Sequence, residues 1–77
     1  MRNRGRVPEM ILRLETERED DGRWLAEVLE LPGALAYGAS EEEARARAQA
    51  LALRVLADRL EHGEAGAGLV NISFAAA

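Results

Sequence analysis

Hydrophobic and polar positions first fall into a regular order at Met10. Met10, Leu12, Leu14 and Thr16 alternate with Arg13, Glu15 and Glu17, which predicts a strand with one buried face from Met10 to Arg18. Ile11 interrupts the polar side at its start. Glu19-Asp20-Asp21-Gly22 follows, and Asp-Gly readily supplies the positive φ of a tight hairpin. A second strand is expected from Arg23 to Leu31, with Trp24, Ala26 and Val28 on one face and Leu25, Leu29 and Leu31 on the other. Apolar residues on both faces predict a sheet covered twice at this strand. Leu31-Pro32-Gly33 stops it, because Pro-Gly suits the central positions of a type II turn. Ala34 to Tyr37 is a short extended piece closed by Gly38.

Ser40 and Glu43 have the spacing of a capping box, and Glu41, Glu42 and Glu43 place negative charge at the positive end of a helix dipole. The helix is expected from Glu41 to His62, about 33 Å long. The alternation of Ala44, Ala46 and Ala48 with Arg45 and Arg47 mimics a strand, but alanine is the best helix former and a poor strand former. Ala44, Ala48, Leu51, Ala52 and Val55 form the core stripe, widened by Leu53, Leu56 and Leu60. His62 and Gly63 end the helix, Glu64 to Gly68 is a loop, and Leu69 to Phe74 is a last strand with Val70, Ile72 and Phe74 inward. The fold class is α+β: a β-β-β-α-β two-layer domain over residues 10–74, one long helix on an antiparallel-rich sheet. A flexible basic tail at 1–9 and a short tail at 75–77 flank it.

Composition sharpens this picture. In 77 residues there are ten Arg, no Lys, fourteen acidic residues and no cysteine, for a net charge of −4. Disulfides and cysteine-based metal sites are excluded. An acidic balance argues against a dedicated nucleic-acid domain, so direct DNA binding is not expected. No apolar run approaches the ~20 residues of a membrane span, and no apolar stretch follows the N-terminal arginines as in a secretory signal. A cytoplasmic protein is expected. So short a chain gains about as much from burial as it loses in ordering. Strands of five or six residues span only ~17–20 Å, so part of the helix should overhang. A homo-oligomer, dimer or tetramer, follows, with Leu25, Leu29, Leu53 and Leu60 as its candidate contacts.

Few residues suggest chemistry. Glu15, Glu17, Glu27 and Asp58 are the candidates for a metal-dependent nuclease centre, which requires them to converge; their neighbours read as solvated faces. Ser40 is explained by capping and His62 by its helix C-terminus. The acidic turn lacks the ligand pattern of a calcium loop. Arg2, Arg4 and Arg6 could add only sequence-blind phosphate affinity. No catalytic residue, metal site or cofactor is expected. Leu31, Pro32 and Tyr37 are the surface candidates for a partner; Trp24, beside them, is read rather as the main core residue.

Asp21-Gly22-Arg23-Trp24, then Glu30-Leu31-Pro32-Gly33-Ala34, then Tyr37-Gly38-Ala39-Ser40 with Glu42-Glu43-Ala44 opening a helix, together resemble the HicB-type antitoxin domain. The resemblance spans about residues 10–74 and is most specific in the Leu-Pro-Gly turn followed by the glutamate-led helix. It implies a partial RNase H-like fold, homo-oligomeric and non-catalytic, that neutralises a small HicA-like ribonuclease toxin by covering its RNA-binding surface. Ala34 stands where members often carry cysteine. Many members continue into a DNA-binding domain, whereas this sequence stops three residues after Phe74, so the resemblance carries no operator binding. The alternative is an orphan homo-oligomer of the same superfamily with no toxin partner.

Overall fold

The computed structural model describes residues 9–63 and 71–77. The expectations for Arg2, Arg4, Arg6, the loop at 64–68, Leu69 and Val70 lie outside the described residues. Element order is β1 (Glu9–Arg18), β2 (Trp24–Val28), β3 (Leu35–Gly38), α1 (Glu41–Glu61) and β4 (Asn71–Ala76). The four strands make one mixed sheet in the order β3-β2-β1-β4. β1 pairs antiparallel with β2 and parallel with β4, and β2 pairs antiparallel with β3.

Local chemistry accounts for each junction. At the hairpin, the Gly22 N–H donates to the Glu19 carbonyl at 2.9 Å and the Glu19 N–H to the Arg23 carbonyl at 2.7 Å. Gly22 takes the positive φ of 90° that closes this three-residue loop. At the second turn the Ala34 N–H donates to the Leu31 carbonyl at 2.9 Å, with Gly33 at φ 93° after Pro32, the geometry of a type II turn. Ser40 caps α1, its hydroxyl accepting from the Glu43 N–H at 3.1 Å. The Glu43 carboxylate reaches back to the Ala39 N–H at 2.6 Å, one residue earlier than a standard box. Gly63 ends the helix at φ 71°.

The second strand is shorter than its hydrophobic run. β2 ends at Val28, and the chain turns at once: the Leu31 N–H donates to the Val28 carbonyl and the Val28 N–H to the Ala34 carbonyl. Leu31 therefore does not share a strand face with Leu25, whereas Leu29 keeps the β1 register for one more residue, its N–H donating to the Arg13 carbonyl at 2.9 Å. Glu30 explains the early stop. Its carboxylate accepts from the Arg13 backbone N–H at 2.7 Å, replacing the strand carbonyl that would have continued the ladder, and from Arg13 Nε at 2.6 Å.

The core comprises Leu12, Leu14, Ala26, Val28, Leu31, Ala34, Ala44, Ala48, Ala52 and Leu56. Alanine fills so many of these places because the helix lies close to the sheet. At Gly38 a Cβ would sit 2.5 Å from the Ala44 nitrogen. Small residues on β2 and β3 (Ala26, Ala36, Gly38) admit the helix there, and α1 packs mainly on those two strands and less on β1. The expected overhang thus has a different origin. At 21 residues α1 is about 32 Å long, and the ten residues of β1 run about 33 Å, so lengths match. The mismatch is sideways: α1 sits toward the β3 side, leaving Leu53, Leu60 and Ile72 exposed.

Candidate interaction surface

β-strand alternation assigns the two faces. Leu12, Leu14, Ala26 and Val28 face α1; the residues between them face away. Antiparallel register then places side chains in rows on the open face. Glu17 stands opposite Leu25, which stands opposite Tyr37; Glu15 stands opposite Glu27, which stands opposite Leu35. Leu35 and Tyr37 are 39% and 38% exposed, large values for apolar or aromatic side chains beside one another on a sheet. Leu25 is half-buried between them and β1. Ile11 is exposed on the same face.

Tyr37 is held twice. The Arg23 guanidinium lies 4.2 Å from its ring centroid, and Arg47 Nη1 donates to its main-chain carbonyl at 3.0 Å. Arg23 is in turn oriented by Asp21, whose carboxylate accepts from the Arg23 N–H at 3.0 Å and from Nε at 2.8 Å. Those bonds, the backbone one foremost, hold the Asp21 carboxyl below its ordinary range. The acidic turn therefore preorganises an arginine–tyrosine pair.

Glu15, Glu17 and Glu27 surround the apolar rows. None lies in a salt bridge among the described residues, whose pairs are Arg13–Glu30, Arg23–Asp21, Arg47–Glu43 and His62–Asp58. Like charges directly opposite, as in Glu15 and Glu27, disfavour each other. A positively charged neighbour would relieve them.

The residues singled out in the sequence are distributed unevenly over this surface. Tyr37 is on it and Pro32 is exposed in the turn. Leu31 is not: at 4% exposure it belongs to the core, carried inward when the chain turns after Val28. Trp24 packs against the core as a half-buried residue. Of the self-association set, Leu25 is on the open face and Leu29 is half-buried in the turn, while Leu53 and Leu60 are exposed on α1, on the other side of the sheet. The four do not form one patch. Asp58, also on α1, is likewise separated by the sheet from Glu15, Glu17 and Glu27. Among the described residues no three His, Cys, Asp or Glu side chains come together as a metal site. His62 Nδ1 lies 2.8 Å from the Asp58 carbonyl, at the helix end as expected.

Leu35 and Arg23 also contribute: Leu35 alternates with Tyr37 along β3, a signal present in the sequence, whereas the place of Arg23 over the ring follows only from the tertiary arrangement. No family model, curated protein or solved structure matches this chain. Among the described residues no helix is long and apolar enough to cross a membrane.

Proposed function

We propose that this chain is a protein-binding module of the kind its HicB resemblance implies, capturing a small basic HicA-like ribonuclease on the open face of its sheet. One observation carries the reading: Leu25, Leu35 and the Arg23-stacked Tyr37 lie among three carboxylates, Glu15, Glu17 and Glu27, outside the salt bridges of the described residues. Aromatic and arginine side chains at the centre of a contact supply most of its energy, and a ring of acids speeds encounter with a basic partner and competes with RNA phosphate. The two-layer sheet and helix are compatible with the fold that the resemblance implies. In this reading the protein acts by occlusion, covering the toxin's RNA-binding surface.

The test is inhibition of RNA cleavage by a purified HicA-type ribonuclease from the adjoining reading frame, with co-purification of the pair. Wild-type protein is expected to inhibit, and Tyr37→Ala or Glu27→Arg to weaken binding at least about tenfold while far-UV circular dichroism shows the fold retained. A chain that neither binds nor inhibits such a ribonuclease overturns the reading. The alternative, a homo-oligomer without a toxin, draws on a different observation: apolar side chains uncovered on the helix side of the sheet, at Leu53, Leu60 and Ile72.

A further inference from the structure

The two edges of the sheet are treated differently. β3 is only four residues long, and the outward carbonyl of Tyr37 is taken by Arg47. Short length and a covering cation are recognised ways of blunting an edge. β4 has neither. Its six residues, Asn71-Ile72-Ser73-Phe74-Ala75-Ala76, include no charge and no proline, and its register with β1 is unbroken from Glu9↔Asn71 to Leu14↔Ala76, so no bulge twists it away.

The direction of its free groups follows from one bond. The Ala77 N–H donates to the Leu14 carbonyl at 2.9 Å, and Leu14 stands opposite Ala76. In a parallel ladder this turns the odd-numbered residues of β4 toward β1. The N–H and C=O groups of Ile72, Phe74 and Ala76 therefore project away from β1, at an edge that no other strand of the described residues covers. Side chains on this part of the sheet also lack cover. α1 lies over β2 and β3, Ile72 is 38% exposed, and Phe74 is only half-buried. Arg47 marks the β3 flank of the helix. Leu53 and Leu60 lie about 120–140° around from it, on the flank facing the β1–β4 side, and both are exposed.

We propose that β4 is a self-association edge, on which the β4 of a second copy adds antiparallel across a two-fold axis to give one continuous eight-stranded sheet. The occupant follows from complementarity. In a pairing centred on Phe74, Ile72 of one copy stands opposite Ala76 of the other, and every outward N–H meets an outward C=O. Residues that face each other in an antiparallel pair share a sheet face, so the uncovered apolar rows of the two copies become neighbours. Charge points the same way. A basic partner finds no acid on β4 to recognise, whereas two chains each carrying −4 meet most favourably along an uncharged strand. This edge is distinct from the open sheet face and stands under either reading of function, since its test requires no ribonuclease.

Sedimentation at micromolar concentration should give twice the 8.4 kDa chain mass. Ala76→Pro removes an outward N–H without touching a β1–β4 hydrogen bond, and Ile72→Lys sets a charge among the apolar side chains of the seam, opposite Ala76 of the other copy. Each should weaken the dimer at least about tenfold while far-UV circular dichroism is retained. In wild-type protein the amides of Phe74 and Ala76 should be protected from hydrogen exchange in proportion to dimer population. A wild-type chain that stays at the single-chain mass, a dimer indifferent to both substitutions, or rapid exchange of those two amides in the dimer overturns the proposal.

Discussion

Gly38 is the position at which the packing of helix on sheet is most sharply tested. Its φ is not positive, so glycine is not required there by backbone conformation; it is required by space. A Cβ on Gly38 would stand 2.5 Å from the Ala44 nitrogen and 3.0 Å from both the Ala44 Cα and the Glu43 carbonyl carbon. All three are backbone atoms in the first turns of α1, and no rotamer change moves them aside. Gly38→Ala must therefore lift the helix start or bend the end of β3, straining the Ser40 cap and the Arg47–Tyr37 bond. Overpacking of this kind costs about 1–3 kcal/mol. At about 4–8 °C per kcal/mol for a domain of this size, a cost of about 2 kcal/mol lowers the melting temperature by about 8–16 °C. Urea denaturation should show a lower midpoint at unchanged slope. Two controls separate the causes. Ala44→Gly should not rescue Gly38→Ala, because the clash is with backbone and not with the Ala44 methyl group. Gly22→Asn should cost only about 1 kcal/mol, from positive-φ backbone strain and not from overpacking, since nothing lies within 4 Å of a Cβ at Gly22. A Gly38→Ala protein melting within about 2 °C of wild type would refute the close approach.

Two further outcomes are open to measurement. Ser40→Ala removes the acceptor for the Glu43 N–H and should cost about 1 kcal/mol by thermal melting, with Ser40→Asp restoring most of it; equal stability of all three would show the cap to be idle. Glu30 and Asp21 are each held below the ordinary carboxylate range, Glu30 chiefly by the Arg13 N–H and Asp21 chiefly by the Arg23 N–H. A folded-state pKa below the unfolded one adds stability that is present above the unfolded value and lost as pH falls through the folded one. Stability should therefore decline with acidification below about pH 4.5, and Glu30→Gln should make that decline shallower. Identical acid titrations of the two proteins would show that Glu30 does not bind the Arg13 N–H.

Where the physics is local, the amino-acid order was sufficient. Alternation from Met10 to Thr16 marks a strand, Asp21-Gly22 supplies the hairpin's positive φ, Pro32-Gly33 builds a type II turn, and Ser40 with three glutamates starts a helix. Each of these depends on groups within a few residues of one another. Periodicity ceases to decide where a distant group intervenes. Leu29 and Leu31 continued the apolar alternation, yet the Glu30 carboxylate on the Arg13 N–H ends β2 at Val28 and sends Leu31 into the core. That bond joins residues 17 apart, beyond the reach of any periodicity.

The candidate surface divides in the same way. Tyr37 was visible as an aromatic near a turn, but its company was not. Only strand register places Glu17, Leu25 and Tyr37 in one row and Glu15, Glu27 and Leu35 in the next, with Arg23 over the ring. By itself the sequence determined the kinds of elements, their order and their punctuation, because propensity, capping and turn geometry are short-range. Tertiary structure alone decided that β4 lies parallel beside β1, that α1 settles over the alanines and glycine of β2 and β3, and hence which apolar rows are left uncovered. Those outcomes depend on how closely two backbones can approach, a property of side chains far apart in the chain.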